Sequence, residues 1–538
     1  MKLRLISGIL LTLLFATNMF AQSSDEDNDP TAKEVKVKLS FGKEYKNERS
    51  NTQIYYLLKD GEGDIYAIKM ASGGYFSKSK RYIEKYTSKM VQIFEKELTV
   101  DNTEGNDLSF IAAKTVNGIP YIFASYLNKT TQMDYFFSLK IEKNGAVGKP
   151  VKIAGVHADD KDGANFGIKF SKDSSKVLII SETSKLEGKN LLSNHFEFSV
   201  SDNQFKEIWK GQTTIPSPHT VRMKDGVEFN SLMDNFKVDN SGRVSTLDLI
   251  QRDQDKKDKN AANYFYKLYC YENGSKEVKK FTIDLDSRSI SNLNLLVTSI
   301  PDEKIGIGTY SDSKKGINGT FYFKINAKTG VVSNKSINPF SQNMYGFMKV
   351  DDKDQKKGEG IPSLHLQGHW MTENNNVLFS LDQQYSIWHT NNVGGRVSSY
   401  YTYHSETMFN VKYDGNGKII YQNYTPKNVW SRDQPFGLYH ILAPRGESNA
   451  LIFNDSKKNT EKKLENYSKM SKANPGSSRC VARLVTTDEQ GKRKASTLFS
   501  NKEEDFVLQP DMALNYAPGV IFTTAVDGKK FKFVKIEY

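Results

Sequence analysis

Short runs in which apolar and polar residues alternate follow one another along almost the whole chain, and they are rich in Tyr, Phe, Val and Ile. A two-residue period is that of a strand with one face buried, and runs with helical spacing are nearly absent, so the pattern predicts an all-β protein. The runs come in groups of four. The first group is "IYYLLKD", "DIYAIKMA", "RYIEKYTSKM" and "VQIFEKEL", and the second is "LSFIAAKTV", "IPYIFASYL", "MDYFFSLKIE" and "PVKIAGV". Five more follow, the unit recurring about every 55 to 75 residues, and the last of them is "LYHILAP", "NALIFNDS", "CVARLVTTD" and "KASTLFS".

The remainder is unequal. Three strands, "FVLQPDMALNY", "GVIFTTAV" and "KFKFVKIEY", are left at the C-terminal end, and "EVKVKLSFGKEY" is left near the N-terminal end. Three and one complete an eighth sheet. Radial repetition of four-stranded sheets is the propeller architecture, and pairing the two chain ends leaves no open edge. The expected fold is a β-propeller of four-stranded antiparallel blades, eight-bladed with seven as the alternative, closed by pairing the N- and C-terminal strands. A pair of β-sandwiches or a β-solenoid is the competing arrangement. No Pro-, Gly- or Ser-rich linker divides the chain, so residues 34–538 are expected to form one domain.

The stretches "HLQGHWMTENNNVLFSLDQQYS", "FNVKYDGNGKIIYQNYTPKN" and "NALIFNDSKKN", together with a Lys- and Asn-rich composition and an "AQ" near the N-terminus, resemble the secreted propeller-like proteins of Bacteroidota, a group without an assigned role. The resemblance implies a propeller and export. It supplies no catalytic residue.

The opening "MKLRLISGILLTLLFATNMFAQSSDEDNDP" places Lys2 and Arg4 before an apolar run of about a dozen residues closed by Ala21, which is the pattern of a secretory signal peptide. Residues 1–21 are read as that signal and 22–33 as a flexible acidic segment, with the product periplasmic or extracellular. No later apolar run approaches the roughly 20 residues of a spanning helix. The net charge of +12 falls to +10 without Lys2 and Arg4, and the lysines are scattered through turns, which argues against nucleic-acid binding. Cys270 and Cys480 fall in the third strands of blades four and seven. That separation exceeds the roughly 7 Å between Cα atoms that a disulfide tolerates, so both thiols are expected free.

In an up-and-down blade, the loop between strands two and three leaves on the same rim as the link to the next blade. The long insertions, "TSKLEGKNLLSN", "RDQDKKDKNAA", "HTNNVGGRVSSYYTYHSET" and "SKKNTEKKLENYSKMSKANPGSSR", all fall in that class, which decorates one face and leaves the other with tight turns. Loops on a rigid scaffold carry binding groups. Residues 389–407 are read as a glycine-hinged loop on the decorated face, where Tyr400, Tyr401 and Tyr403 offer rings with hydroxyl handles. His389, Arg396 and His404 lie in the same stretch, and Trp430, Arg432 and Asp433 come from the next link. These nine residues are the candidate binding site. The plainer reading is that the aromatics only pack the loop onto its own blade.

Catalytic signals are weak. The chain lacks a G-x-S-x-G elbow, an H-E-x-x-H pair, a Walker loop and any Cys/His spacing for zinc, so no cofactor or metal is expected. His389, His404 and Glu406 have no spacing that enforces metal geometry, and His365 and His369 sit about 13 Å apart on a strand. The Asp-rich turns "DNSGR", "DGNGK" and "DDKDG" lack the terminal glutamate of a calcium loop and read as Asx turns. The expected function is that of an exported, non-enzymatic propeller that binds a protein or a polysaccharide, anionic ones included. The alternative is a polysaccharide lyase or glycoside hydrolase using His389 or His404 as base and a tyrosine as acid.

Overall fold

Antiparallel pairing gathers the strands four at a time, in chain order, into eight sheets. The computed structural model describes residues 37–47, 52–71, 79–100, 107–158, 163–187, 190–216, 232–251, 264–275, 277–286, 288–312, 316–348, 350, 353, 357–393, 396–462, 464 and 470–538. Residues 1–33, read above as a signal and an acidic segment, and the insertion at 252–262 lie outside them. Blades one to seven span 52–97, 109–157, 165–216, 237–283, 289–339, 364–425 and 440–500. Blade eight takes Val507–Ala517, Val520–Asp527 and Lys530–Glu537 from one end of the chain and Lys38–Phe41 from the other, with Lys38 opposite Glu537 and Phe41 opposite Val534. The fold is a β-propeller of eight four-stranded blades.

The middle strands show why. In Ile65–Ala71 of blade one, Ile65 and Ala67 join a core shared with Phe522, Phe531 and Phe533 of blade eight, while Tyr66 and Ile68 join one shared with Ile122 and Ala124 of blade two. Strand alternation sends successive side chains to opposite faces, and here both faces are covered. The same division recurs in blade three, where Val177 and Ile179 face Phe123 of blade two while Leu178 and Ile180 face Tyr269 of blade four. Eight such cores occupy the eight interfaces between neighbours, the one between blades eight and one included. First strands of successive blades touch, and Thr52–Lys59 lies against both Ser109–Val116 and Val507–Ala517, so the first strands surround a central channel.

Asx turns close many hairpins on the undecorated face. Oδ1 of Asp60, Asp239, Asp414 and Asp488 each accepts the backbone N–H groups two and four residues on. The fourth residue of each turn is a glycine with φ between +85° and +92°, a conformation that a side chain disfavours. Carbonyls of these turns accept bonds from the neighbouring blade: Trp209 Nε1 donates to Gly242 O (3.0 Å), Tyr322 Oη to Gly415 O (3.1 Å) and Tyr516 Oη to Gly63 O (2.8 Å). The last of these ties blade eight to blade one.

Both cysteines are buried and free, and Cys480 Sγ lies 2.9 Å from Asp455 O. Burial pushes each thiol up to about 12. Thiol titration of the native protein should find no reactive group, and titration in denaturant should find two; a count of zero in denaturant would mean a disulfide and a different blade register.

Asp248, in Val244–Gln251, is fully buried and accepts a bond from Tyr269 Oη at 3.3 Å. Burial pushes its carboxyl up to about 7 despite that bond. An unfolded aspartate releases its proton near pH 4. Between about pH 4 and 7 the native state therefore holds a proton that the unfolded state has lost, and stability falls as pH rises through this window. Asp248→Asn should remove that slope and raise the urea midpoint at pH 8 relative to wild type; parallel pH profiles for the two proteins would refute the assignment.

Candidate functional site

The stretch 389–407 is not a loop. Blade six contains the two longest strands of the chain, Val377–Val393 and Arg396–Tyr413, and their paired ends run well past the neighbouring strands as a hairpin arm. His389 lies opposite Tyr400, Ile387 opposite Thr402 and Tyr385 opposite His404. The insertion in blade three behaves likewise, being taken up by Lys176–Glu187 and Asn190–Asp202. Tyr, Thr and Val favour the strand, and the pairing runs out to Val393 opposite Arg396. The link to blade seven adds a third strand, Val429–Arg432, with Trp430 opposite His404 and Arg432 opposite Thr402. Blade seven's insertion then attaches through a parallel bridge between Ala473 and Val429.

Alternation divides the candidate residues between the two faces of this arm. On one face Ile387, His389, Tyr400, Thr402, His404, Trp430, Arg432 and Lys472 line a cavity of about 410 Å³. Tyr401 lies on the other face beside Trp388, with ring centroids 4.4 Å apart, and both rings are exposed. Tyr403 packs onto Val429, Leu438, Ala473 and Cys480, so for this residue the plainer packing reading holds. Asp433 lies at the end of the third strand, its N–H bonded to Tyr401 O and its carboxylate 3.4 Å from Arg432 Nε. The side chain of Arg396 lies outside the described residues. Sequence reading missed Lys472 and Thr402: no sequence signal brings blade seven's insertion to the arm, and Thr402 reads as one more polar strand position.

Thr402 organises the cavity floor. His389 Nε2 lies 2.8 Å and His404 Nε2 3.0 Å from its Oγ1. A hydroxyl has one proton to give and two lone pairs, so at most one imidazole accepts from Oγ1 and at least one donates to it, which couples the two tautomers. His404 is buried beneath Tyr385, with parallel rings at 4.8 Å, and its Nδ1 has no hydrogen-bond partner among the described residues. Burial, with the charges of Lys472 and His389, holds His404 below its ordinary range, so it is neutral at pH 7. The rim is cationic and aromatic: the Arg432 guanidinium lies 3.9 Å over the Tyr400 ring, which itself stacks on His389 at 4.9 Å. No carboxylate is among the lining residues. Glu406 is engaged by Tyr385 Oη at 2.6 Å, and His365 Nε2 lies 3.1 Å from Gln384 O.

Below the arm lies a fully buried polar cluster that sequence reading did not find. Lys427 Nζ is 3.0 Å from Asp382 Oδ2 and donates to Leu438 O at 2.7 Å; Ser405 Oγ donates to the same carboxylate at 2.9 Å; His440 Nδ1 lies 3.4 Å from it, and His440 Nε2 is 2.9 Å from Ser380 Oγ. Ser380, His440 and Asp382 match the order of a hydrolase triad; Ser380 and Asp382 are 0% exposed, and the cluster ties blade six to blade seven through His440. Burial opposes the Asp382 charge, but Lys427 and His440 outweigh it and hold the carboxyl below its usual range. Among the described residues the metal-type cluster is Asp60, Glu62 and Asp64 on the opposite face, where Lys85 bridges Asp60 and Asp64 and Lys143 pairs with Glu62.

No family model matches the chain, and no curated protein does. Among solved structures it is similar in fold to the Dos1 propeller (8% identity, 92% of this chain and 94% of that one, TM-score 0.40) and to the WD40 domain of SCAP from fission yeast (8%, 94% and 98%, 0.38). It is also similar to the β-propeller domain of the Trilobed protease from Pyrococcus furiosus (11%, 83% and 92%, 0.33). These likenesses concern the fold, and no ligand is carried over from them.

Asp382→Asn should leave Lys427 without its counter-charge. Breaking a buried pair costs about 3–5 kcal/mol, and that loss should appear in the urea unfolding free energy; an unchanged value would show that the cluster is not a tie.

Proposed function

We propose that the protein is an exported binding propeller whose arm cavity holds an acidic saccharide, a sugar carrying a carboxylate or a sulfate. The observation that supports this reading is the cavity itself. Its volume of about 410 Å³ suits one or two sugar rings. Tyr400 and Trp430 supply apolar surface of the kind on which sugar C–H faces rest. Arg432 and Lys472 supply charge. A guanidinium laid over an aromatic ring presents its N–H edge for parallel bonds to a carboxylate, and a ligand carboxylate would compete there with the exposed contact between Arg432 Nε and Asp433. The signal-like N-terminus supports export, and no helix among the described residues is long and apolar enough to cross a membrane.

The His389–Thr402–His404 line favours one second reading. Coupled imidazoles beside a bound uronate are placed to move a proton, which is the requirement for a lyase. Calorimetric titration with short oligogalacturonate, with absorbance of unsaturated products followed in parallel, separates the two. Binding without product is expected, with no binding of a neutral glucan. Arg432→Gln should weaken it about tenfold or more, since a hydrogen bond to a charged group contributes about 1.5–3 kcal/mol. Equal affinity for the neutral glucan, or an unaffected Arg432→Gln variant, would sink the saccharide reading, and product release would replace binding with catalysis.

A further inference from the structure

A second concentration of positive charge lies away from the arm, in the central channel. Lys114, Lys169 and Lys237 occupy equivalent places on the first strands of blades two, three and four. Each stands two residues before the chain turns toward the second strand, at Val116, Ser171 and Asp239. Equivalent positions on successive blades share one height along the axis, and these three lie at the turn end. Contacts bring Lys169 and Lys237 to one residue, Asp234, and set Lys114 against the neighbour of Lys169. Lys114 Nζ lies 4.1 Å over the ring of Phe170, next in sequence to Lys169. Lys169 Nζ is 2.6 Å from Asp234 Oδ1, and Lys237 Nζ donates to Asp234 O at 2.9 Å. His369, on Leu364–Met371 of blade six, is accessible to water yet flanked by protein, and the charge of Lys237 reaches it.

The balance of this group is positive. Among the described residues Asp234 is its one carboxylate, and Lys169 pairs with it, which leaves Lys114 over an aromatic ring and Lys237 on a backbone carbonyl. Burial, and then the charge of Lys169, pulls both lysines below their ordinary range, and burial pulls His369 down to about 4. Like charges held together in a recess repel strongly because little water lies between them to screen the interaction. Two Asx turns of the same face have their charge paired instead, Asp60 with Lys85 and Asp239 with Lys304.

We propose that the turn-side mouth of the central channel is an anion site, in which Lys114, Lys169 and Lys237 receive a tetrahedral oxyanion, a phosphate or sulfate group. This site is independent of the saccharide reading of the arm. An ammonium serves such a group as a point charge with three donors, and three ammonium groups from three rigid strands can surround it.

The full chain is titrated with inorganic phosphate and, separately, inorganic sulfate, against sodium chloride of matched ionic strength, with the melting temperature and calorimetric heat as readouts. The wild type should gain stability beyond the chloride control with at least one oxyanion, and the difference between the two shows which it prefers. The double variant Lys114→Gln/Lys237→Gln should lose that anion-dependent shift and should melt higher than wild type in its absence, because the repulsion is gone. Arg432→Gln, on the arm, should keep the shift. An anion response equal to chloride, a response retained by the double variant, or one lost in Arg432→Gln would each overturn the proposal; the unliganded melting temperature shows whether the double variant folds.

Discussion

Every blade in this protein is covered on both faces by its neighbours, and the rest of the structure depends on that constraint. A lone four-stranded sheet with apolar side chains on both faces has no stable place in water. It needs a partner on each side, and a row of such sheets satisfies all its members only when it curves into a ring. The core between Ile65, Ala67 and Tyr86 of blade one and Phe522, Phe531 and Phe533 of blade eight is where that condition is met. Lys38–Phe41 pairs across the chain ends in the same blade, so covalent continuity substitutes for a link between first and last sheets. The ring also explains why long insertions are tolerated: they leave from strand ends whose bodies are fixed by two flanking cores.

Charge is buried at several interfaces, and each case follows one rule. Lys304 reaches from blade five to Asp239 of blade four, Arg483 meets Asp455 within blade seven, and Lys427 meets Asp382 below the arm. Such pairs are costly to form and more costly to break, which suits them to fixing one arrangement over near alternatives. The Asp382 cluster has a particular place in the fold. A bulge between Asp382 and Gln384 lies at the base of the arm, where the strand leaves the blade, and Lys427 and His440 grip the chain at that point. The arm is therefore held at its root by charge and along its length by the third strand Val429–Arg432, which gives the cavity residues fixed positions.

The two faces of the propeller divide the chemistry. The decorated face carries aromatic rings, imidazoles and two cations around a cavity, a combination suited to a ligand with both apolar and acidic surface. The turn face carries Asx turns that satisfy themselves and, at its centre, lysines that do not balance. The first is built from one blade's extension and its neighbours' insertions; the second arises from the repeat, because the same position on three successive first strands carries the same residue type.

The number of blades, the four-strand unit and the joining of the chain ends were legible in the sequence, because strand alternation and turn residues are local and the repeat multiplied the signal. The D-x-x-G turns and the two unpaired cysteines followed from the same register. The arm was not legible as strand. Aromatic and polar residues are mixed on both of its faces, so the contrast between buried and exposed positions that marks a strand is missing, and the two glycines suggested a loop. The candidate residues lie on the arm and on the link that follows it, and alternation in the arm splits them: His389, Tyr400, His404, Trp430 and Arg432 line the cavity, and Tyr401 and Tyr403 point away. Thr402 gave only the signal of a polar strand position, while Lys472 and the Asp382 cluster depend on contacts between blades six and seven, from residues tens of positions apart. Sequence determines which residues can form a blade; only the closing of blades against one another decides which side chains meet at their seams.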